Sequence, residues 1–290
     1  MSRKGFLLFL ATGFAWGIPY FFIAIAVKEF SSETVILARV VIGAAVLIPV
    51  AISQKALLPA LRAWRWVLLF AVLEMVGPWW LITSAERGHI TSGLAGLLVS
   101  TVPFFAVIIS YFFLGDKSVK HPKTILGLVV GFLGVFLLVG LDSFTGHTDP
   151  IWVGAVVLSA IGYAVAPAMA SVKLKDVPIV GVMSLSLVMV ALVYVVPASL
   201  RLPAEVAAKP SVAALISLLV LGVVCSAVAF VFFFALIREI GSARSTLVTY
   251  MNTVVAFLLG ILFLAEPITI GMMIGFPLVL VGSYFASRKH

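Results

Sequence analysis

The chain has 290 residues, of which 63% are hydrophobic and only 10% are charged. Soluble domains contain about 45–50% apolar and about 25% charged residues, so this composition excludes an ordinary soluble protein and predicts a membrane protein. The formal net charge of +8 does not indicate nucleic-acid binding, because the basic residues stand singly or in small groups between apolar segments.

Ten apolar segments approach the length of about 20 residues that a helix needs to cross a bilayer. The first follows Ser2-Arg3-Lys4, as in a signal peptide, but its apolar run continues to Val27 without a convincing cleavage site, which favours an uncleaved helix. Short connections rich in Pro, Gly and charged residues separate the segments. The predicted helices cover residues 4–27, 33–54, 63–84, 89–114, 122–140, 150–171, 178–199, 211–237, 242–264 and 268–287.

Basic residues are concentrated on one side of this topology. With the N-terminus in the cytoplasm, fourteen of the 19 Lys and Arg residues fall inside, which predicts that both termini are cytoplasmic. These residues are Arg3, Lys4, Lys55, Arg62, Arg65, Lys117, Lys120, Lys123, Lys173, Lys175, Arg238, Arg244, Arg288 and Lys289. Acidic residues lean to the other side, where Glu29, Glu33, Glu86, Asp142, Asp149, Glu205 and Glu266 are predicted.

Residue types that carry enzyme chemistry are scarce within the predicted helices. The single cysteine, Cys225, excludes an intrachain disulfide and argues against a multi-cysteine zinc site. The sequence contains no nucleotide-binding motif, selectivity filter or ring of charges, and its histidines lie in predicted loops or at helix ends. We therefore expect no cofactor and no metal, and treat an intramembrane enzyme or a channel as remote alternatives. The histidines are His89, His121, His147 and His290.

The sequence contains an internal duplication. Residues 85–116 align without gaps with residues 235–266, at an offset of 150. Five helices per copy is an odd number, so the second copy is inserted upside down, as in transporters built from inverted repeats. The predicted fold is an all-α membrane protein with ten transmembrane helices in two inverted five-helix repeats, residues 1–144 and 145–290. Matched pairs include Ala85 with Ala235, Ile90 with Ile240, Ser92 with Ser242, Leu97 with Leu247, and Asp116 with Glu266.

Several short motifs resemble those of the drug/metabolite transporter superfamily, in its EamA-type branch. They are Ala15-Trp16-Gly17, Arg39 early in the second helix, the run from Gly93 through Pro103 to Leu114-Gly115-Asp116, and its second copy Leu264-Ala265-Glu266-Pro267. Within this branch the chain is most similar to the YddG-type aromatic amino-acid exporters of bacterial inner membranes, with which it shares a Trp-rich third helix. It departs from the family at Asn252-Thr253, where a Glu-Pro is common.

The resemblance implies export of aromatic and other neutral amino acids by alternating access across the bacterial inner membrane. The expected partners are a small-molecule substrate and the lipid bilayer, with no nucleic acid, and the protein is a monomer or a homodimer. Export of drugs, nucleosides or other metabolites is the alternative. Transport is expected to be facilitated, with proton coupling as the other possibility.

Two charged residues lie at membrane depth and are the first candidates for a substrate site. Glu74 occupies the centre of the third helix, where a carboxylate costs about 2.5–3.5 kcal/mol on insertion scales. It either binds a substrate ammonium or relays a proton, or it is a neutral structural acid. Arg39 attracts a substrate carboxylate or locks an outward gate, or it snorkels to the interface or pairs with Glu33.

Aromatic and small polar side chains complete the predicted substrate site. Trp16 and Tyr163 hold equivalent mid-depth positions in the two repeats, and Tyr20 lies one turn from Trp16; facing inward, these rings would form stacking walls. Trp79 either lines the outer vestibule or belongs to the aromatic belt. Hydroxyl and amide groups that bind an amino-acid backbone, or serve as ordinary interhelical hydrogen bonds, are predicted at Ser100, Thr101, Tyr250 and Asn252.

Overall fold

The computed structural model describes residues 2–115, 121–144, 149–240 and 248–287. Within these ranges all regular secondary structure is helical, and a short helix, Leu57–Arg62, joins the second and third of ten longer stretches. These are α1 (Arg3–Gly17 and Pro19–Ala26), α2 (Ser32–Ser53), α3 (Trp64–Ala71, Val72–Val76 and Gly77–Ala85), α4 (Ser92–Val99 and Val102–Leu114), α5 (Pro122–Phe144), α6 (Pro150–Lys173), α7 (Ile179–Ala207), α8 (Val212–Gly222, Val223–Val228 and Ala229–Ile240), α9 (Val248–Leu264) and α10 (Ile270–Ser287).

Most of these helices can cross a bilayer. In the described ranges seven helices, α1–α4 and α6–α8, are long and apolar enough to do so, and α5, α9 and α10 contain shorter apolar stretches. Large apolar side chains cover the surface of the bundle, among them Phe132, Phe136, Leu192 and Leu262. A continuous exposed apolar surface of this kind faces lipid. The predicted multi-pass helical membrane protein is confirmed.

The helix bounds follow the prediction within a few residues, with one clear exception. Helix α7 was predicted to end at residue 199 but continues to Ala207. The prediction ended the helix where the apolar run stopped, yet Leu, Ala and Glu in the next two turns are good helix formers, and most positions there are exposed. Arg201 and Glu205 therefore belong to this helix and not to a loop.

Some predicted features lie outside the described residues, namely Asp116, Lys117, Lys120, His147, Ser242, Arg244, Leu247, Arg288, Lys289, His290 and the proposed repeat boundary at 145.

Helices α3 and α8 each contain a π-helical turn, Val72–Val76 and Val223–Val228. In α3 the cause is Pro78, which has no N–H to donate to the carbonyl of Glu74 four residues earlier. The N–H of Gly77 instead bonds the carbonyl of Val72, five residues back. The wide turn that results, Val72–Val76, carries Glu74. Helix α8 has no proline here, and the Ser226 hydroxyl donates to the carbonyl of Leu221 at 2.9 Å.

Contacts between connections define two faces of the bundle. On the terminal face (residues 2–4, 53–63, 174–178 and 238–240), the Ser2 hydroxyl donates to Glu239 at 2.5 Å, and Gly181 packs on the carbonyl of Ala56. On the opposite face (residues 27–31, 86–91, 149, 208–211 and 265–269), Glu29 accepts from Ser211 at 2.6 Å. The helices of the described chain therefore run alternately between the two faces.

Close helix contacts depend on individual glycines, and one of them gives a testable prediction. An added Cβ on Gly162 of α6 would lie 2.5 Å from the carbonyl oxygen of Leu73 in α3, whereas a Cβ on Gly154 of the same helix would meet nothing within 4 Å. We expect Gly162→Ala to lower the melting temperature of the purified protein, because the backbone of α3 has to move away. Gly154→Ala is the matched control. It should leave stability unchanged or raise it slightly, since alanine favours a helix by about 1 kcal/mol over glycine. Equal melting temperatures for the two variants would contradict this packing.

Candidate functional site

Arg39 is the charged residue around which the centre of the bundle is organised. It lies on α2 and is only 8% exposed. Its Nε donates to the Ser226 hydroxyl on α8 at 2.7 Å, and its guanidinium carbon lies 3.8 Å from the ring centroid of Trp79 on α3. A desolvated stack of this type contributes about 2 kcal/mol. Arg39 thus ties together three helices.

The described contacts of Arg39 leave part of its hydrogen-bonding capacity open. Nε bonds Ser226, whereas the Nη groups have no hydrogen-bond partner within the described ranges. The two structural alternatives predicted for Arg39 are wrong: its side chain is buried instead of reaching the interface, and Glu33 accepts a hydrogen bond from the Trp80 indole at 3.1 Å. A fork of free N–H groups in a buried site is suited to a carboxylate.

Glu74 projects from the π turn of α3. Its side chain is half-buried, and Oε2 lies out of solvent without a hydrogen-bond partner among the residues described. The carbonyl of Val76 in the same turn is satisfied by the Tyr194 hydroxyl at 2.7 Å, so the distorted backbone is supported while the carboxylate is not. A shielded carboxylate oxygen without a partner is costly inside a membrane helix, and ionisable groups at such depth are candidates for ligand or proton sites.

Tyr163 on α6 connects these two charged groups. Its hydroxyl interacts electrostatically with Tyr20, Glu74 and Arg39 and with the indole of Trp79. Tyr20 on α1 is buried and also interacts electrostatically with Arg39. The structure thus brings together five predicted residues, the central cluster: Tyr20, Arg39, Glu74, Trp79 and Tyr163.

Trp16 lies at the edge of the central cluster. Its ring packs on Phe233 and Phe230 of α8, with centroid distances of 4.6 and 5.5 Å, and it belongs to the same apolar cluster as Trp79. Trp79 itself is buried beneath the guanidinium, so its assignment to an aromatic belt is wrong. Trp16 and Trp79 provide flat apolar surfaces beside the charged groups.

The predicted polar residues of α4 lie where that helix is interrupted. Ser100 and Thr101 separate its two segments, and each hydroxyl donates to a carbonyl of the preceding turn, that of Leu97 or Leu98, at 2.6 Å. Thr101 also lines a separate apolar cavity of about 130 Å³, with Phe104, Phe105, Gly131, Phe132, Val135, Val157 and Val279. The contacts of both hydroxyls described here support the helix break.

The predicted residues of α9 have different surroundings. Asn252 is buried, and its Oδ1 lies 3.3 Å from the hydroxyl of Thr253, which also reaches the carbonyls of Thr249 and Gly96. Tyr250 is half-buried on the same helix. These contacts join α9 to α4, which is the interhelical role considered for this group.

Two functional candidates were missed by the sequence. Ser226, which holds Arg39, carries no motif and sits in a π turn that no proline announces. Glu86 was predicted in an exterior loop but is 7% exposed, with both carboxyl oxygens unpartnered in the described structure. Glu74 is therefore not the sole buried acid. The signal available for Glu86 was its repeat partner Leu236, a fully buried residue.

Comparisons with known proteins agree with this architecture. The model of the EamA-like transporter family matches residues 3–140 and again residues 150–288. YedA, an uncharacterized inner membrane transporter of Escherichia coli strain K12, is 29% identical over 247 residues, which cover 84% of this chain and 78% of that protein. YoaV, an uncharacterized transporter of Bacillus subtilis strain 168, is 28% identical over 206 residues, which cover 69% of this chain and 70% of YoaV.

Two further matches concern function and fold. A probable terminal-alkyne amino-acid exporter of Streptantibioticus cattleyicolor is 26% identical over 206 residues, covering 69% of this chain and 66% of the exporter. A crystal structure superposes with a TM-score of 0.65 over 98% of both chains at 19% identity, which supports the fold alone. The chain belongs to the EamA-like transporter family, within the drug/metabolite transporter superfamily, and is a multi-pass membrane transporter.

Proposed function

We propose that this transporter exports aromatic and other neutral amino acids across the bacterial inner membrane. One observation carries the proposal: a guanidinium with free N–H groups and a carboxylate with an unpartnered oxygen, Arg39 and Glu74, both interact with the same half-buried tyrosine, Tyr163. A zwitterion supplies a carboxylate for the first and an ammonium for the second. On binding, each charge of the substrate leaves water and pairs with an opposite charge of the protein in a low-dielectric site.

The side-chain preference follows from the aromatic surfaces. Trp16, Tyr20 and Trp79 flank the charged pair and offer stacking and edge contacts to an apolar or aromatic side chain. The amino-acid exporter of Streptantibioticus cattleyicolor, although distant, supports the same substrate class, and the inner-membrane name of YedA supports the location. The similarity to YddG-type aromatic amino-acid exporters belongs to this proposal as well.

We further infer ten spans in two inverted repeats, residues 1–144 and 145–290, with cytoplasmic termini. The π turns support this arrangement, because they begin at Val72 and Val223, 151 residues apart. The helix contacts also recur: α3 packs on α6 as α8 packs on α1, and α4 packs on α6 as α9 packs on α1. The family model also matches twice, at starts 147 residues apart, which is close to the spacing of the π turns. Two such halves can rock about a central site, which is the basis of alternating access.

Counterflow in proteoliposomes tests the proposed function. Vesicles that contain purified protein and unlabelled phenylalanine, threonine, methionine or a nucleoside are diluted into the labelled form of the same compound. Internal amino acids should stimulate uptake of label, and phenylalanine should be effective at the lowest concentration. Counterflow of nucleosides or cationic drugs without any response to amino acids would overturn the substrate class and favour the drug and nucleoside alternative. Exchange requires only a substrate gradient, so this test is independent of proton coupling.

A further inference from the structure

Glu86 is a buried acid that the proposed substrate site does not use. It follows directly on α3 at the opposite face, and its two carboxyl oxygens are shielded from solvent with no hydrogen-bond partner in the described part of the chain. An ionised carboxylate in this position would be uncompensated, which costs several kcal/mol. Such a group is stable when it carries a proton.

The groups that face Glu86 strengthen this conclusion. The hydroxyl of Tyr20 on α1 and the carboxylate of Glu266, between α9 and α10, interact electrostatically with it. Burial, followed by the charge of Glu266, raises the pKa of Glu86 well above its ordinary value of 4.5.

Nearby basic residues are engaged elsewhere. Arg87 and Arg201 act on Glu33, and His89 lies 3.7 Å from Asp149. Within the described ranges, no basic side chain contributes to the electrostatics of Glu86. The two acids therefore differ: Glu266 accepts hydrogen bonds from backbone N–H groups, whereas Glu86 accepts none from the residues that the structure describes.

Three carboxylates on the opposite face bind the starts of helices, and one of them, that of Glu266, also acts on Glu86. Glu266 accepts from the N–H groups of Ser92 and Gly93 at 2.7 and 2.8 Å, at the start of α4. Glu205 accepts from the N–H of Ser31 at 2.8 Å, before α2, and Glu29 accepts from Ser211, before α8. Anions at helix N-termini are favourable, so these carboxylate–backbone hydrogen bonds stabilise the closed state of the face. Opening the face would separate them and hydrate Glu86.

We propose that Glu86 is a proton-binding site whose occupancy stabilises the closed state of the opposite face. As the face closes, Glu86 takes a proton from the medium on that side and forms a neutral carboxyl group; as it opens, the proton returns to that medium. The binding step concerns the fold of this face and does not depend on which substrate is carried. Its role in transport rests on the proposed function.

The sign of the pH effect follows from linkage. The pKa of Glu86 is higher in the closed state, where it is buried, than in an open state where water reaches it. The closed state therefore gains stability from the proton at low pH and loses it as the pH rises through the closed-state pKa, above the ordinary carboxyl range. Acid closes the face and alkali opens it. Glutamine at position 86 resembles the protonated acid and should keep the face closed at all pH values.

A cysteine reporter tests this without any transport measurement. Ser84 lies at the opposite face, is buried, and donates to the Ser32 hydroxyl at 2.9 Å, so Ser84→Cys reacts with a membrane-impermeant maleimide only when the face opens. The protein is placed in nanodiscs, and the labelling rate is normalised to that of the exposed Lys28→Cys at each pH, which removes the pH dependence of thiol reactivity. The unmodified chain, whose Cys225 is buried, gives the background.

We expect normalised labelling to rise with pH, by about tenfold for each unit by which closure raises the pKa of Glu86. Adding Glu86→Gln should make labelling slow and independent of pH. Glu266→Gln should move the midpoint to lower pH, because it removes the neighbouring charge, and it serves as a second test if Glu86→Gln folds poorly. Asp176→Asn is the matched control: this acid is exposed on the terminal face and takes no part in the contacts that close the opposite face, so the midpoint should stay in place.

Three outcomes would overturn the proposal: flat labelling in the reporter protein, an unchanged pH response after Glu86→Gln, or a response to sodium at fixed pH in place of a response to protons. Because the reporter needs no substrate, its failure is distinguishable from a failure of counterflow. Normal amino-acid counterflow with flat labelling would remove the proton site and keep the exporter. A pH-dependent reporter without amino-acid counterflow would keep the proton site and remove the proposed amino-acid substrate.

Discussion

Replacing Arg39 with glutamine is expected to raise the phenylalanine concentration needed for half-maximal counterflow by about 10- to 100-fold. The guanidinium is the group in the central cluster that can pair with the substrate carboxylate, and hydrogen bonds to charged groups contribute about 1.5–3 kcal/mol. A difference of about 1.4 kcal/mol changes an affinity tenfold. The Ser226 hydroxyl keeps its bond to Leu221, so the variant leaves no stranded donor there.

A matched analogue separates this role from a purely structural one. Phenethylamine lacks the carboxylate, so Arg39→Gln should leave its competition with labelled phenylalanine nearly unchanged. Arg39→Lys keeps the charge but loses the planar fork that stacks on Trp79 and bonds Ser226, and it should give an intermediate loss. Arg87→Gln, which removes an exposed charge on the opposite face, is the control for net charge. Equal losses for phenylalanine and phenethylamine in Arg39→Gln would show that the residue acts through packing.

The second large effect is expected at Glu74, where replacement by glutamine should abolish the preference for an ammonium group. In the unmodified transporter, 3-phenylpropionate should compete at least about tenfold more weakly than phenylalanine, because it leaves the buried carboxylate without a partner. In Glu74→Gln the two compounds should compete with nearly equal strength, mainly because phenylalanine binds less well.

Competition curves at a fixed concentration of labelled substrate measure this ratio directly. Glu33→Gln is a suitable control, because Glu33 already accepts a hydrogen bond from Trp80 at 3.1 Å and lies outside the central cluster. If Glu74→Gln kept the full preference for phenylalanine, the carboxylate would have no part in recognising the ammonium group. The assignment of Glu74 as a neutral structural acid would then be correct.

The depth of the charged residues could be predicted from the sequence, but their partners could not. A glutamate within an apolar run is expected inside the membrane, and Glu74 does lie in the middle of the candidate span Trp64–Ala85. The stacking of Arg39 on Trp79 and its bond to Ser226 join three helices separated by up to 187 residues. Hydropathy along one chain contains no information about such pairings. The aromatic residues predicted at mid-depth, Trp16, Tyr20 and Tyr163, do lie in or beside the central cluster, and their role in binding stays a prediction.

Glu86 shows where the sequence argument failed in physical terms. A charged residue just after an apolar helix was assigned to water, which is right for most loops. Here Glu86 is buried, and Glu266, remote in sequence, acts on it while bonding the start of α4. The two π turns also differ in how well the sequence predicts them. Pro78 indicates the first turn, whereas no residue type indicates the second.

The central claim is that the site recognises both charges of an amino acid, and ligand binding to the unmodified protein tests it most directly. Calorimetric titration of the purified transporter would compare phenylalanine with its amide, which lacks the carboxylate, and with 3-phenylpropionate, which lacks the ammonium. We expect phenylalanine to bind at least about tenfold more tightly than either analogue, since each analogue leaves Arg39 or Glu74 unpaired. Equal affinity for all three compounds, or no binding of phenylalanine beside clear binding of a nucleoside, would contradict the account.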